Sequence, residues 1–426
     1  MINRKVAPAI HDAVSFDYNL QPVRHEVCGN NIPLYWLNAG TQEVVQIDWV
    51  FDAGLWHEPK TAVAQAAASL LRNGTATQSA LAINEAIEYY GAALKVSAGN
   101  DYTVVTLHTL TKHLAKLLPV VQEIVTQATF PQTELDTYIR NAQQRLAVNL
   151  RKCDFVANRH IDGCLFGKAH PYGRYTEAAH LDALQVADLQ TFHRRHYTSR
   201  TCRMFMAGNI EAQHVALLQA YFGKEHWGEP LNEVPAFRPE PAAEHSYRIS
   251  NDANGVQGAV RLARPFPTRE HPDFTPMLLL NTVFGGYFGS RLMTNIREEK
   301  GFTYGIHSQL YSYKHAGAML IATEAGKDVC AQTMEEVYKE MALLCREPIG
   351  EEELMLVKNY LLGNILGDLD GPFGIMQRWK NVILNQLPAD YFDTNIHAFK
   401  TLQPEALLEL AQRYYKEEDF YELVVV

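Results

Sequence analysis

The sequence predicts an α+β protein built from two homologous domains, each a mostly antiparallel sheet covered by helices. The first observation is an internal repeat: residues 122–150 and 335–366 each carry an amphipathic run, a proline and a Glu-Leu pair that opens a second long helical pattern. Residues 184–210 are echoed by 402–426, and the offset of about 218 residues indicates duplication of a whole domain. The second observation is length, because 426 residues exceed one hydrophobic core and fit two domains of about 200 residues.

The first half opens with strand patterns and continues with helices and a hairpin. Residues 32–37 and 43–50 are rich in β-branched and aromatic side chains, and the Asn-Ala-Gly segment at 38–40 is typical of a turn. Helix propensity, with stops at Gly74 and Gly91, predicts the first two helices. The further predicted elements are helices at 61–73 and 79–90, strands at 93–98 and 102–109, helices at 111–127 and 132–150, and, after a loop, a short helix near 186–195 and a strand at 201–207.

The second half repeats this order of strand, helix, hairpin and helix, which predicts helices on one face of a largely antiparallel sheet. Residues 224–246, between the halves, are rich in proline and charge and predict an extended linker rather than packed structure. We therefore expect a first domain at 1–223 and a second at 247–426. The predicted elements are a strand near 256–263, helices at 273–284 and 289–298, strands at 303–312 and 316–324, and helices at 328–345 and 350–367.

Composition limits the class of protein and its partners. The net charge of −10 argues against a nucleic-acid partner, which would need a clustered basic face. The six cysteines are scattered without Cys-x-x-Cys spacing, so we expect free thiols in a reducing compartment. The first ten residues lack the apolar stretch of a secretory signal, and no run approaches the roughly 20 apolar residues of a membrane helix. These features predict a cytoplasmic protein without a membrane span, or a periplasmic one if a signal segment was removed.

The histidines and glycines form no familiar catalytic motif by themselves. His193 and His196 are three residues apart on a helical pattern, but no nearby carboxylate completes a ligand set. No histidine pair brackets a glutamate at the spacing of a helical zinc site, and the sequence has no nucleophile elbow, Walker loop or dinucleotide signature. The glycine-dense run at 284–289 does not follow a parallel-strand pattern, so it predicts no phosphate loop.

Three stretches resemble sequences of the M16 peptidases. They are GLWHEPKTAVAQAAASLLRNGT at 54–75, HPYGRYT at 170–176 and FGGYFGSRLMTNIREEKGFTYGIHS at 284–308. That family includes pitrilysin, insulin-degrading enzyme and the mitochondrial processing peptidase. The resemblance covers nearly the whole chain and implies a LuxS/MPP-like metallohydrolase fold whose two homologous domains close as a clamshell. Active members carry an inverted zinc motif, His-x-x-Glu-His, on the first long helix and a third ligand, a glutamate, on a later helix.

The positions that correspond to this zinc motif hold Gln65, Ala68 and Ser69. Zinc needs nitrogen, thiolate or carboxylate ligands, which an amide, a methyl group and a hydroxyl do not supply. Ala68 also stands where the family has its general base. The run from Thr137 to Cys153, where the third ligand is expected, contains no Asp, Glu or His. The sequence therefore predicts no metal ligands in this chain, with zinc expected in a partner subunit.

The second half keeps a different part of the family pattern. Arg297 and Tyr304 stand at the spacing that M16 enzymes use for an Arg/Tyr pair, which contacts the scissile peptide opposite the metal. A guanidinium and a phenol supply donors suited to a peptide carbonyl or a developing oxyanion. The predicted substrate-binding residues Gly285, Gly286 and Ser290 lie just upstream. Glycines 285, 286 and 289 either let the helix that starts near Ser290 approach its neighbour or resemble the glycine-rich loop that touches substrate in the non-catalytic subunit of the mitochondrial processing peptidase.

These features together predict a zinc-free subunit of a heterodimeric M16 metallopeptidase, inactive alone, that pairs with a homologous subunit carrying His-x-x-Glu-His and acts on a peptide. Three alternatives stay open. The chain is a non-enzymatic structural or peptide-binding subunit with the same fold, or a self-sufficient peptidase with an unanticipated metal site, or an inactive homodimer. An edge strand at 93–98 or 303–312 could bind an extended peptide by β-augmentation.

Overall fold

The computed structural model describes residue 7 and residues 11–230, 236–252 and 254–426, and its strands form two sheets. The predicted α+β class with two homologous domains is confirmed. The first sheet contains β1 (Arg24–Val27), β2 (Pro33–Asn38), β3 (Val44–Phe51), β4 (Ala93–Ala98), β5 (Thr103–Leu110) and β6 (Arg203–Gly208). The second sheet contains β7 (Ser246–Ile249), β8 (Gln257–Phe266), β9 (Thr303–Ser312), β10 (Gly317–Gly326) and β11 (Tyr421–Val425).

The two sheets have the same topology. The order is β1-β2-β6-β3-β5-β4 in the first sheet and β7-β11-β8-β10-β9 in the second. Within these orders β2 pairs with β6 and β7 pairs with β11 in parallel, while the other neighbours are antiparallel. Strand β1 is an addition at one edge of the first sheet. The shared order supports the duplication that the sequence repeat indicates, and it leaves β4 and β9 at equivalent free edges.

Helices cover both sheets. Those of the first half are α1 (Val63–Leu70), α2 (Ala80–Glu88), α3 (Leu114–Thr126), α4 (Gln132–Asn149), α5 (Cys153–Phe166), α6 (Ala178–Asp182), α7 (Val186–His196) and α8 (Ala212–Phe222). Those of the second half are α9 (Phe274–Asn281), α10 (Cys330–Arg346), α11 (Glu351–Asp368), α12 (Pro372–Leu384), α13 (Tyr391–Thr401) and α14 (Pro404–Tyr414). Among the residues with described positions, no helix combines the length and the apolar character needed to cross a bilayer.

The prediction of helices on one face of each sheet is wrong: both faces are covered, because the strands alternate between two apolar layers. In β3, Ile47 and Trp49 pack into a core with α1 and α3, whereas Val50 belongs to a second core that includes helix α12. In β8, Leu262 packs with helices of the second half, whereas Ala263 belongs to a third core that includes α5. This alternation follows from the two-residue period of a strand.

The helices that cover the second face of each sheet are exchanged between the halves. Helix α5 belongs to the first half in sequence but packs on β8 and β11 of the second sheet. Helix α12, which is about 218 residues later and thus its counterpart in the repeat, packs on β2 and β6 of the first sheet. The exchange joins the halves through continuous apolar cores.

Polar pairs accompany both exchanged helices. Lys380 of α12 lies with its Nζ 2.7 Å from Oδ2 of Asp48 in β3, and the side chains are 11% and 1% exposed. Arg261 of β8 donates to Asn158 of α5 at 2.7 Å and pairs with Glu324 at the same distance. Buried charges are tolerated only when paired or hydrogen-bonded, so each contact fixes where its helix seats.

The structure contains helices that the sequence analysis does not predict, among them α8, α12 and α13. The loop expected after residue 150 contains α5 and α6. Helix α5 has a weak amphipathic pattern because polar residues and a glycine interrupt its apolar positions. The predicted helices at 273–284 and 289–298 are helical, but they include wider π-helical turns at Thr282–Gly286 and Met293–Glu299.

Most described residues of the predicted linker at 224–246 are exposed and lie outside helices and strands, but parts of it contact the two halves. Its residues 231–235 lie outside the described residues. Before them, the Trp227 indole donates to the carbonyl of Tyr197 at 3.0 Å. After them, Ala242 N–H donates to the carbonyl of Cys164 at 2.8 Å, and Phe237 contacts the aromatic ring of Trp56. Proline and charge favour extended chain, but the side chains of Trp227, Phe237 and Ala242 are partly buried against the apolar cores.

Candidate functional site

Helix α1 carries the three positions that the resemblance assigns to a zinc motif. Its alanine-rich sequence has high helix propensity, and Ala62 precedes it with a φ of 78°, an uncommon conformation for a residue other than glycine. Gln65 and Ser69 are one turn apart and exposed, whereas Ala68 is buried. The exposed face of α1 therefore presents an amide and a hydroxyl.

Helix α4 packs against α1, and the two helices enclose a small cleft beside Gln65. Tyr138, Ala142, Arg145 and Asn149 recur at spacings of three or four residues, so they share one face of α4. The Tyr138 phenol is hydrogen-bonded to Ser69, and burial raises the pKa of this tyrosine. The cleft has a volume of about 200 Å³ and is lined by Ala62, Gln65, Tyr138, Ala142, Arg145, Leu146, Asn149, Phe155, Thr176 and Leu181.

A buried carboxylate, Glu58, holds the start of α1. The Ala64 N–H donates to its Oε2 at 3.0 Å, and Arg174 Nη2 lies 3.1 Å from its Oε1. Burial raises the pKa of Glu58 to about 7, against the opposing effects of Arg174 and the helix N–H groups. Sequence reasoning missed this residue, although an acidic side chain just before an alanine-rich helix is a recognisable start signal.

The surroundings of α1 do not fit a zinc ion. Within the ranges the structure describes, no three His, Cys, Asp and Glu side chains lie close enough together to hold a metal. His193 and His196 of α7 bond instead to the backbone carbonyls of Val125 and Asp52, at 2.8 and 3.0 Å. Burial lowers the pKa of His193 to about 4, which keeps its ring neutral. Amide, hydroxyl and phenol groups are poor zinc ligands.

Arg297 lies in the π-helical turn before β9 and reaches the surface. Its guanidinium lies 4.6 Å from the centre of the Phe288 ring and 3.6 Å from the Glu298 carboxylate. The Phe288 side chain is itself 64% exposed. In the part of the chain with described positions, Arg297 makes no hydrogen bond, so its donors are free to contact a bound molecule.

Tyr304 is the second residue of β9, where the prediction placed it near the strand start, and it is 92% exposed. A hydroxyl network holds the strand beneath it: Gly305 N–H donates to Thr303 Oγ1 at 3.0 Å, and Thr323 Oγ1 donates to the Gly305 carbonyl at 2.9 Å. Gly301 has a φ of 65° and makes the turn between Arg297 and Tyr304 possible. Because Tyr304 buries so little surface, packing gives no reason for an aromatic side chain here.

Tyr304 also lines a cleft of about 570 Å³ between the halves. One wall comes from the α4–α5 connection at 151–154, and the other from the starts of β8 and β9 with Glu324 of β10. Arg297 is not part of this lining. The structure thus places the two predicted catalytic residues on either side of one turn, with the tyrosine facing a space that both halves form.

The predicted substrate-binding positions fall into two environments. Gly285 is buried, and a Cβ added there would lie 2.8 Å from Cβ of Ser308 and 2.9 Å from a methyl of Leu292. Glycine at this position therefore allows the helical turn to approach β9. Ser290 is also buried, at 1% exposure, whereas Gly286 is exposed. Of the three, Gly286 is the position that a bound peptide could reach directly.

Comparison with known proteins identifies the family. The model "Insulinase (Peptidase family M16)" matches residues 36–166, and the model "Peptidase M16 inactive domain" matches residues 183–361. The chain belongs to the M16 peptidase family. Its M16 relatives include an uncharacterized zinc protease of Bacillus subtilis, 24% identical over 370 residues that cover 85% of this chain and 88% of the relative. An uncharacterized zinc protease of Mycobacterium leprae is 24% identical over 325 residues, which cover 74% of this chain and 72% of the relative.

Solved structures share the M16 fold over almost the entire chain. A peptidase M16 inactive domain from Pseudomonas fluorescens has a TM-score of 0.85 at 21% identity, with 95% of this chain and 98% of that chain covered. A protease from Helicobacter pylori has a TM-score of 0.86 at 14% identity, with 95% and 99% covered. The periplasmic protease PqqL from Escherichia coli has a TM-score of 0.78 at 15% identity; all of this chain matches about half of it, 49%.

In this M16 chain the sequence contains no His-x-x-Glu-His run. The fold brings the residues predicted at the zinc-motif positions together with α4, and it brings Arg297 and Tyr304 to the two ends of one turn. Sequence reasoning missed the contribution of Arg145 and Asn149 to the cleft. Their spacing of four residues on a helix was the signal that could have found them.

Proposed function

We propose that this chain is the zinc-free subunit of a heterodimeric M16 metallopeptidase, in which Arg297 and Tyr304 contact the peptide that a partner subunit hydrolyses. The partner would be a homologous chain with an intact His-x-x-Glu-His motif, and it would supply the zinc and the general base. This chain would supply donors for the scissile carbonyl and for the charge that develops on it. Alone, it would be inactive.

The observation that carries this proposal is the exposure of Arg297 and Tyr304. A guanidinium held only by a surface ring and a neighbouring carboxylate, and a tyrosine that is 92% exposed, contribute little to folding. Both side chains keep donors available, and the phenol faces a cleft between the halves. The helical turn and the strand start fix the backbone that carries these side chains, and their free donors can bind a carbonyl oxygen on which charge develops.

The residues around α1 support the proposal that this chain does not activate water for hydrolysis. Gln65, Ala68 and Ser69 cannot supply zinc ligands or a general base. Glu58 is the nearest carboxylate described above, but it is buried and engaged with Arg174 and the α1 N–H groups. Water activation therefore has to come from elsewhere, which is the reason for proposing a catalytic partner.

The free edges of β4 and β9 suggest how a peptide would be held. Each is the last strand of its sheet, and an extended peptide can add to such an edge through main-chain hydrogen bonds. A peptide along β9 would pass Tyr304, which stands at the start of that strand. The same property would serve a peptide-binding subunit without a catalytic role, so binding by itself does not separate the two functions.

The decisive experiment reconstitutes the complex with an M16 chain that has the zinc motif and measures peptide hydrolysis. Arg297→Ala and Tyr304→Phe should each leave the complex assembled, and loss of one donor should lower kcat by about 10²–10³. Arg195→Ala and Tyr89→Phe are matched controls, because Arg195 has an exposed side chain in a loose ion pair at 3.8 Å and Tyr89 is 83% exposed. Full activity of both Arg297 and Tyr304 variants would show that the subunit is structural.

The same preparation tests the remaining alternatives. Hydrolysis by this chain alone that a chelator abolishes would identify a self-sufficient peptidase and refute the proposal. Size-exclusion chromatography with light scattering distinguishes a homodimer from a heterodimer, and a homodimer should show no hydrolysis. A cytoplasmic location remains a prediction from the sequence, which cell fractionation checks.

A further inference from the structure

The cleft between α1 and α4 has chemistry of its own. Beside Gln65, the first of the positions where active relatives are expected to bind zinc, this chain has a space of about 200 Å³ with both apolar and polar walls. Ala142, Leu146 and Leu181 supply apolar surface, while Gln65 and Asn149 supply amide groups. The volume suits one amino-acid side chain or one chain terminus rather than a large cofactor, because sites for drug-sized ligands occupy about 300–1,000 Å³.

The charge in the cleft is positive. Arg145 is the only ionised residue among those that line it. Within the described ranges, Arg145 makes no ion pair and no hydrogen bond, so the fold leaves its five donors unused. A second arginine lies close by: Arg159 donates to the carbonyl of Thr176, a lining residue, at 2.9 Å and stacks 4.0 Å from the centre of the Tyr175 ring.

Within the described ranges no carboxylate forms an ion pair with Arg145, and the oxygens of those nearby contact other groups. Glu58 pairs with Arg174 at 3.1 Å. Asp182 accepts a hydrogen bond from Gln143 at 2.5 Å, and Glu177 accepts from the first turn of α6. A planar guanidinium with amide donors beside it matches the geometry of a carboxylate, which accepts two parallel hydrogen bonds.

The cleft adjoins the space that Tyr304 faces. Asn149 and Phe155 line the α1–α4 cleft, and residues 151–154 between them line the cleft at Tyr304. Consecutive Cα atoms are about 3.8 Å apart, so the two spaces lie on two sides of one short corner. A peptide of a few residues that passes Tyr304 could therefore place a side chain or its terminus near Arg145.

We propose that the α1–α4 cleft is a subsite for a carboxylate carried by a peptide, with Arg145 as the charged contact and Gln65 and Asn149 as amide donors. The carboxylate is either an Asp or Glu side chain or the C-terminus, since both present the same group. The inference deepens the proposed function, because the ligand is taken to be the peptide substrate. Helix α1, which corresponds to the helix that carries the zinc motif in active relatives, would thus help to bind an anion in this chain.

The test measures binding of labelled hexapeptides to the isolated chain by fluorescence anisotropy. One peptide carries a central Glu and a C-terminal amide, one carries Gln and a free C-terminus, and one carries Gln and an amide. At least one of the two peptides that carry a carboxylate should bind about tenfold or more tightly than the neutral peptide. The peptide that does so shows whether the cleft binds a side-chain carboxylate or the C-terminus. Equal affinity for all three peptides, or no binding of any, would overturn the proposal.

Variants assign the effect to the cleft. Arg145→Gln should abolish the preference for acidic peptides, whereas Arg140→Gln, on an exposed turn of the same helix outside the cleft lining, should retain it. Both arginines are exposed, so folding should be unaffected, and circular dichroism checks this. A preference that survives Arg145→Gln contradicts the assignment. In the reconstituted complex, Arg145→Gln should reduce the ratio of kcat/KM for the peptide with a carboxylate to that for the neutral peptide to about one, whereas Arg297→Ala should lower kcat for both peptides and keep that ratio, so the two proposals fail separately.

Discussion

Replacing Lys380 by methionine should destabilise the protein strongly, because it leaves a buried carboxylate without its counter-ion. Lys380 on α12 is 11% exposed and its Nζ lies 2.7 Å from Asp48, which is 1% exposed. Breaking a buried pair by removing one partner costs roughly 3–5 kcal/mol. Asp48 would keep hydrogen bonds from Thr106 at 2.6 Å and Gln46 at 2.9 Å, so we expect a loss of about 3 kcal/mol, near the lower limit of that range.

The assay is scanning calorimetry of the purified variants, with a double-mutant cycle. Asp48→Asn combined with Lys380→Met removes both charges and should recover most of the stability that Lys380→Met loses. The matched control is Lys339→Met, because Lys339 pairs with Glu336 at 2.8 Å but has a side chain that is 62% exposed; surface pairs contribute little. If Lys380→Met melts at the same temperature as Lys339→Met, the pair does not anchor α12 and the reasoning is wrong.

Three further predictions concern packing, titration and metal. Gly285→Ala should lower the free energy of unfolding, measured with denaturant, by about 1–3 kcal/mol, because the added Cβ would lie 2.8 Å from Ser308. The control Gly363→Ala should not destabilise the protein, because nothing lies within 4 Å of its added Cβ. Equal stability of the two variants would contradict the packing role of Gly285. Burial lowers the pKa of His193 to about 4, so its stabilising effect is present above pH 6.5 and lost as the pH falls towards 4. His193→Gln should flatten that part of the stability curve by about 3 kcal/mol, and an unchanged curve would show that the ring is accessible when folded. A chelator should leave the melting temperature of the isolated chain unchanged, and a drop would reveal a structural metal.

The repeat and the order of elements were predictable because they depend on local pattern. The hairpins and the long helices α3, α4, α10 and α11 have strong periodicity, and their positions in the structure agree with the prediction to within a few residues. Helix α5 could not be recognised in this way. Its apolar residues face the second sheet while its glycine and polar residues weaken the pattern, so only the tertiary contact explains why it is helical.

The candidate site was predictable in part for a similar reason. Arg297 and Tyr304 stand out in the sequence because a family pattern names them, and their exposure depends on a local turn. The α1–α4 cleft depends on two helices separated by more than 60 residues of chain, with Gln65 on one and Arg145 on the other. The packing of these helices determines which side chains line the cleft, and a sequence pattern does not show this packing directly.

The exchange of α5 and α12 has a consequence for synthesis of the protein. The first sheet is complete when residue 208 has been made, but the helix that covers its second face begins at residue 372. At the usual 5–20 residues per second, the ribosome needs roughly 10–30 s to make that intervening stretch. For this time Val50, Phe205 and Ala207 are without their α12 neighbours, so the nascent first half is a natural client for a chaperone that shields apolar sheet surfaces.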